Sequence, residues 1–163
     1  MIEPKVGTVL RYDFLWKDEA DLGQDQGKDR PCAIIIATEP NTDGTRKVFL
    51  CPITHSPPLQ GQSAVEIPAK VSRHLGLDDD RSWIKTDQLN RVTWEKDRIP
   101  FGVTPVSKDQ WTYGELPQSL GRKAFDQVRD RARSKTLDTI NRDDELAVHA
   151  RSTRNRSDGG RSR

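Results

Sequence analysis

The sequence is poor in cysteine and in long apolar runs, and both shortages exclude broad classes of protein. Its 163 residues include two cysteines, Cys32 and Cys51, which form no C-x-x-C pair. Zinc-finger and thioredoxin-like chemistry are therefore not expected, and two such thiols suit a reducing compartment. The longest apolar run spans residues 32–37, whereas a membrane-spanning helix needs about 20 residues. Because residues 1–5 also lack the apolar core of a signal peptide, we expect a soluble cytoplasmic protein without a membrane partner.

An excess of charge of one sign is also missing. The formal net charge is +2, and residues 149–163 carry +4 of it, which leaves −2 for residues 1–148. Whole-domain charge therefore supplies no nucleic-acid site, and any such site must be a local patch. The apolar fraction is 33%, below the roughly 45–50% usual for globular domains even after glycine is added. Part of the chain is therefore expected to lie outside a packed core.

What is present predicts a mainly β domain. Apolar residues at every second position predict a strand over 8–16, and the apolar segments 32–37 and 48–51 flank an Asp-Gly turn and predict a hairpin. Further short strands are predicted within 64–113. From 120 to 132 apolar residues recur every four positions, which predicts one amphipathic helix. Many short strands followed by one helix indicate a small barrel or sandwich with the helix on one side.

Two segments are predicted to lie outside this core. Eight of the fourteen residues in 17–30 are charged, which favours a mobile, exposed loop, and long loops in compact domains are often functional. Residues 151–163 contain only Arg, Ser, Thr, Asn, Asp and Gly, a composition typical of disorder. We therefore place a domain at 1–136 and a polar, Arg-rich, disordered tail at 137–163.

Two polar residues flank the predicted hairpin at positions suited to binding a phosphate. Arg30 begins the first strand and is held extended by Pro31, while Thr54 ends the second strand. Antiparallel pairing brings both to the same end of the sheet, where a guanidinium and a hydroxyl can share one phosphate. Two simpler interpretations stay open: Arg30 pairs with a neighbouring carboxylate such as Asp29, and Thr54 belongs to a polar cluster that closes a strand.

Five short motifs resemble, in order, those of the MazF/PemK/Kid growth inhibitors. The resemblance covers residues 7–132 and depends on the order of the motifs along the chain. The loop before the arginine is one residue longer than the family's usual Gly-x-Arg-Pro. The motifs are an opening strand at 7–14, Gly-x-x-Arg-Pro at 27–31, Pro-Ile-Thr at 52–54, Lys-Thr-Asp-Gln-Leu at 85–89, and Gly-Glu-Leu at 114–116.

The resemblance implies an SH3-like β-barrel of the CcdB/PemK type that forms a homodimer. It implies a toxin of a type II toxin–antitoxin system, a sequence-specific endoribonuclease that cleaves single-stranded RNA. The 2′-OH of the RNA would attack the phosphate, which leaves 2′,3′-cyclic phosphate and 5′-OH ends. Neither metal nor cofactor is expected, in keeping with the absence of a carboxylate–histidine cluster in the sequence. An antitoxin with an acidic tail would occlude the groove.

The resemblance also assigns roles to residues. The family's catalytic arginine and threonine fall on Arg30 and Thr54. Arginine rarely gives up its proton and so makes a poor general base; its expected role is to stabilise the charge of the transition state. Either His55 or Asp87 would then assist proton transfer. The predicted RNA-binding residues are Lys28, Ser56, Lys85 and Gln88.

Two other functions stay open. The same fold serves gyrase poisons of the CcdB type, which bind a protein and cleave nothing, and a noncatalytic barrel would only bind RNA or a protein. The pairing of Arg30 with Thr54 favours the nuclease, because a gyrase binder has no need of it.

Overall fold

The computed structural model describes residues 2–78 and 80–143. Within them, the chain forms nine strands and three helices. The strands are β1 (Thr8–Phe14), β2 (Lys28–Ala37), β3 (Arg46–Thr54), β4 (Ala64–Ile67), β5 (Ser82–Lys85), β6 (Gln88–Trp94), β7 (Val103–Thr104), β8 (Thr112–Glu115) and β9 (Asp138–Asn141). The helices are α1 (Lys17–Asp21), α2 (Ala69–His74) and α3 (Gln118–Arg133). None of the described helices combines the length and the apolar character that crossing a membrane requires.

The strands form one sheet with the hairpin of β2 and β3 at its centre. The main path is β4-β5-β3-β2-β1-β7, with β8 also on β1 and β6 also on β3. The hairpin confirms the prediction from the Asp-Gly turn, in which Gly44 has φ of 84° and donates to the Asn41 carbonyl. Pairing among the described strands does not close the sheet into a barrel, so the SH3-like barrel stays a prediction.

Strand β3 changes its outer neighbour halfway along its length. Residues Arg46–Leu50 pair with β6, and Ile53 and Thr54 pair with β5. Its other edge stays on β2. The change of neighbour places β5 beside the last residues of β3, with Ile84 opposite Ile53 and Lys85 the next residue along β5. This sets the position of the site described below.

The central strands are buried on both faces. Successive residues of β2 alternate between two apolar clusters: Ala33 and Ile35 face one, while Cys32 and Ile34 face the other. Helix α3 covers the first cluster with Leu120, Ala124 and Val128, among others. The predicted mainly β domain with one C-terminal amphipathic helix is confirmed.

The charged segment 17–30 is more ordered than the sequence predicts. Its first part forms α1, and β2 begins already at Lys28. The fully buried Asn90 accepts a hydrogen bond from the Leu15 N–H (2.9 Å) and donates to the Leu15 carbonyl (2.8 Å), which holds the start of this segment. At its other end, a Cβ at Gly27 would lie 1.8 Å from the Phe14 carbonyl oxygen, so only glycine fits.

The start of the predicted tail is part of the folded sheet. Strand β9 pairs in parallel with β6, and the next residue, Arg142, is 1% exposed. Its guanidinium donates to the Asp13 backbone carbonyl, to Asn90 Oδ1 (2.9 Å) and to Asp13 Oδ2 (3.2 Å). Acceptors from residues far away in the chain hold the Arg142 guanidinium and fix this segment in the fold. Composition alone could not predict these contacts. The rest of the predicted tail, 144–163, lies outside the described residues.

Candidate active site

The structure brings Arg30 and Thr54 to one end of the hairpin. Cys32 lies opposite Pro52 in the β2–β3 register, and Arg30 and Thr54 each lie two residues further toward the same end of their strands. Both side chains line one open cleft of about 940 Å³. The antiparallel pairing that the sequence indicated therefore places a guanidinium and a hydroxyl at the same end of the hairpin, in one cleft.

Three of the four predicted RNA-binding residues also line the cleft. These are Ser56, Lys85 and Gln88, which come from the segment after β3, from the end of β5 and from the start of β6. Lys28, the fourth, lies on the exposed start of β2 opposite Phe14 and does not line the cleft. Acidic residues of α1 and β9 also line the cleft; they are Asp18, Glu19, Asp21 and Asp138.

The Arg30 guanidinium makes no ion pair with any carboxylate in the described part of the chain. Asp29, the neighbour considered as its partner, lies instead 3.6 Å from Arg11 Nε. The Arg30 guanidinium carbon lies 5.0 Å from the centre of the Trp16 ring, and its Nε is buried without a hydrogen-bond acceptor. The simpler interpretation of Arg30, an ion pair with Asp29, does not hold, and its remaining donors are available to a ligand.

The Thr54 hydroxyl already accepts one hydrogen bond. Its Oγ1 accepts a hydrogen bond from the Ser56 backbone N–H at 3.2 Å, which shapes the turn after β3. A hydroxyl has one proton to donate and two lone pairs, so this contact leaves the proton for an acceptor in the cleft, such as a phosphate oxygen.

Lys85 and Asp87 form a poorly solvated pair beside the cleft. Lys85 Nζ lies 3.9 Å from Asp87 Oδ2, and their side chains are 12% and 13% exposed. Asp87 Oδ1 is buried without a hydrogen-bond donor. Next along the chain, Gln88 Oε1 accepts from the Lys17 backbone N–H at 2.9 Å, which holds α1 against the cleft. Asp87 thus lies behind Lys85 and is not part of the cleft lining.

Comparison with known protein families gives a match over the segment that holds these residues. Residues 9–112 match the model of the PemK-like, MazF-like toxins of type II toxin–antitoxin systems, which is more than half of the chain. The chain belongs to this family. No curated protein sequence matches it. The family match contains all the residues proposed for the site, whereas α3 and β9 of this toxin lie beyond it. Membership of the family implies a cognate antitoxin.

His55 of this toxin faces away from the cleft. Successive strand residues point to opposite sides, so His55 leaves β3 on the side opposite Thr54. Its Nδ1 lies 3.1 Å from the Arg81 carbonyl oxygen and its Nε2 lies 2.8 Å from Asp78 Oδ2. Both partners are acceptors, so both ring nitrogens donate when the ring is protonated. The structure does not bring His55 together with Arg30 and Thr54.

The toxin also contains a carboxylate–histidine cluster, which the sequence analysis did not find. Ligand atoms of His55, Asp78 and Asp80 lie within 4.8 Å of one another, and all three residues are exposed. His55 is more than twenty residues away from Asp78 and Asp80 in the chain, and the pairing of β5 with β3 brings them together. The cluster lies outside the cleft.

The groups around the imidazole ring raise the pKa of His55. The Arg81 carbonyl accepts a hydrogen bond from the ring, and the carboxylates of Asp78 and Asp80 favour its charged form. A raised pKa in the folded state stabilises the toxin below the unfolded-state pKa of about 6.5, and this contribution is lost as the pH rises through the folded-state pKa. We expect His55→Gln to lower the free energy of unfolding more at about pH 5 than at about pH 8.5.

Urea denaturation of both proteins at the two pH values measures this difference. In an Asp78→Asn background the effect of pH is expected to shrink, because one of the two acceptors loses its charge. An equal loss of stability at both pH values would show that protonation of His55 does not stabilise the fold.

The residue that sequence reasoning missed in this toxin is Trp16. The sequence analysis assigned it no role, whereas it lines the cleft and is half-buried. Its ring lies edge-on to Phe14, with centroids 5.1 Å apart. A signal was present: Trp16 directly precedes the charged segment that leads to Arg30.

Proposed function

We propose that this toxin is a metal-independent, sequence-specific endoribonuclease that cleaves single-stranded RNA. The observation that supports it best is that Arg30 and Thr54 line one cleft with Lys85, while the Arg30 guanidinium has no carboxylate partner in the described chain. An arginine left unpaired in a cleft suits an anionic ligand. Members of the family are generally mRNA interferases, which points to the same reaction.

In the proposed reaction the 2′-OH of the RNA attacks the adjacent phosphorus. A bond forms from 2′-O to phosphorus as the bond from phosphorus to 5′-O breaks, which gives a 2′,3′-cyclic phosphate and a 5′-OH. The proton of the 2′-OH passes to a base, and the departing 5′-oxygen takes up a proton. Arg30 stabilises the charge that develops on the phosphorane oxygens, and the Thr54 hydroxyl donates to one of them.

Of the two candidates for the base, the geometry favours Asp87. Its buried Oδ1 has no hydrogen-bond donor, so a lone pair stays free to accept a proton. Its Oδ2 lies 3.9 Å from the ammonium nitrogen of Lys85, which lines the cleft. A general base can act through one bridging water. The nitrogens of His55 are instead occupied by Asp78 and the Arg81 carbonyl on the other side of β3.

Substitution of the two candidates separates them. Asp87→Asn keeps the shape of the side chain and is expected to slow cleavage by roughly 10²–10⁴-fold, while His55→Ala stays near the wild-type rate. Rates are measured under single-turnover conditions across pH, where Asp87→Asn should also lose the acidic limb of the profile. Wild-type cleavage by both variants would show that neither residue is the base.

The proposed activity is tested by incubation of the purified protein with RNA in EDTA. New 5′-OH and 2′,3′-cyclic phosphate ends, mapped by sequencing, support the proposal and reveal the recognised bases. Intact RNA together with stalled gyrase would favour a CcdB-like toxin, and intact RNA bound without cleavage would favour a noncatalytic binder.

The proposed function also includes contacts with RNA, a homodimer and an antitoxin. Ser56, Lys85 and Gln88 bind the RNA backbone and bases within the cleft, and Lys28 extends this contact beyond it along β2. The protein acts as a homodimer in the cytoplasm, and the cognate antitoxin blocks the same cleft with an acidic segment that competes for Arg30 and Lys85.

A further inference from the structure

Two cations of the cleft share one aromatic side chain. The Arg30 guanidinium carbon lies 5.0 Å and the Lys85 ammonium nitrogen 5.3 Å from the centre of the Trp16 ring. Both distances fall within the roughly 6 Å over which a cation is attracted to an aromatic face. Trp16 therefore contacts two of the positive groups that line the cleft.

The ring is itself held in place from two directions. Phe14 meets it edge-on at 70°, and the Trp16 backbone N–H donates to Glu19 Oε1 at 3.1 Å at the start of α1. Lys17, the next residue, is tied to Gln88. A ring fixed by its neighbours can fix the cations that lie over it.

A second arginine of the chain shows what is different about Arg30. Arg81 also lies over a tryptophan, 4.9 Å from the Trp83 ring centre, but it donates to both oxygens of Glu66 at 2.8 and 3.0 Å. Its N–H groups are committed to a carboxylate. Contact with an aromatic face holds the Arg30 guanidinium without such a commitment, because the ring attracts the charge and takes up none of the in-plane donors.

We propose that Trp16 is a positioning residue for phosphate binding, which holds Arg30 and Lys85 in the cleft and leaves the terminal N–H groups of Arg30 available to a phosphodiester. The inference deepens the proposed nuclease function and rests on it for its biological meaning. Phosphate binding can be measured without cleavage. An experiment can therefore contradict the positioning role of Trp16 without contradicting the nuclease activity, and the reverse.

The test uses a short oligomer of abasic deoxyribose phosphates, which carries diesters but neither a base nor a 2′-OH. Trp16→Leu keeps apolar volume without an aromatic face and is expected to bind this probe about tenfold more weakly than wild type. Trp16→Phe keeps a face and should restore most of the affinity. Trp111→Leu, at a tryptophan outside the cleft lining, is the matched control and should bind as wild type does.

A spectroscopic measurement reports on the contact itself. The Arg30 Nε–H proton should resonate upfield in the free protein because of the ring current of Trp16, and should move back in Trp16→Leu at unchanged melting temperature. Arg30→Ala assigns the signal by removing it.

Three outcomes would overturn the inference: equal affinity of Trp16→Leu and wild type for the abasic probe, no binding by wild type, or an Arg30 signal that Trp16→Leu does not move. Loss of RNA affinity in Trp16→Leu with full affinity for the abasic probe would show instead that the ring stacks on a base. If wild type binds the probe with the predicted Trp16 dependence but leaves RNA intact, the nuclease proposal fails and the phosphate site stands.

Discussion

Replacement of Arg30 by alanine is expected to slow RNA cleavage by about 10²–10³-fold, since removal of one donor to a developing oxyanion has effects of this size. The side chain has no ion pair within the described chain, so its loss leaves no buried carboxylate unpaired. Stability should therefore change little, and the loss should appear in the rate of the chemical step. Single-turnover cleavage of a defined RNA measures it.

Two further variants make this result specific. Arg30→Lys keeps a positive charge but not the planar fork that binds two phosphate oxygens, so an intermediate rate is expected. Arg11→Ala removes a nearby arginine that pairs with Asp29 outside the cleft and should cleave as wild type does. Cleavage by Arg30→Ala at the wild-type rate would remove the basis of the proposed mechanism.

Replacement of Arg142 by alanine is expected to lower the free energy of unfolding by about 3–5 kcal/mol, the usual cost of removing one partner of a buried ion pair. Arg142 is 1% exposed and the side chain of its partner Asp13 is 12% exposed. The variant would leave the Asp13 carboxylate and Asn90 Oδ1 without their cationic donor. It would also release the carbonyl of Asp25, which accepts from the same guanidinium at 3.3 Å.

Urea denaturation measures this loss, and a double-mutant cycle identifies its origin. Asp13→Asn combined with Arg142→Ala should be less destabilised than the sum of the single variants, because the two groups interact directly. Arg133→Ala, on the exposed end of α3, is the control and should lie within about 0.5 kcal/mol of wild type. A wild-type stability for Arg142→Ala would mean that the segment after α3 does not belong to the cooperative fold.

The same network affects the candidate site from a distance. Asp13 accepts from the Gly27 backbone N–H at 2.8 Å, and Gly27 leads directly into the start of β2 and Arg30. Arg142 thus supports both ends of the charged segment that the sequence predicted to be a mobile loop. We therefore expect that Arg142→Ala loosens the segment that carries Arg30, although Arg142 does not line the cleft.

Prediction from the sequence succeeded where the information is local. The alternation in β1, the Asp-Gly turn between β2 and β3, and the four-residue period of α3 each follow from neighbouring residues, because side-chain period and turn chemistry are local properties. The hairpin was also sufficient to place Arg30 opposite Thr54, since pairing within a hairpin follows from its turn. Lys85 and Gln88 could be added only through the family resemblance.

Prediction failed where a residue depends on partners far along the chain. Composition placed residues 138–142 in a tail because they are polar, yet Arg142 finds acceptors in Asp13 and Asn90. The carboxylate–histidine cluster at His55 was missed because its members come from two separate segments. A polar residue can be buried once its charge or hydrogen bonds are satisfied, and no local pattern reveals whether distant partners will satisfy it.

The sequence by itself determined strands that precede α3, among them the central hairpin, and it determined the C-terminal helix and the family of toxins to which the chain belongs. Only the tertiary structure decided that β3 passes from β6 to β5, that Arg30 and Lys85 both lie over the Trp16 ring, and that His55 faces away from them. The reason is physical: periodicity specifies which face of an element is buried, whereas the packing of whole elements against each other specifies which polar groups share a cleft.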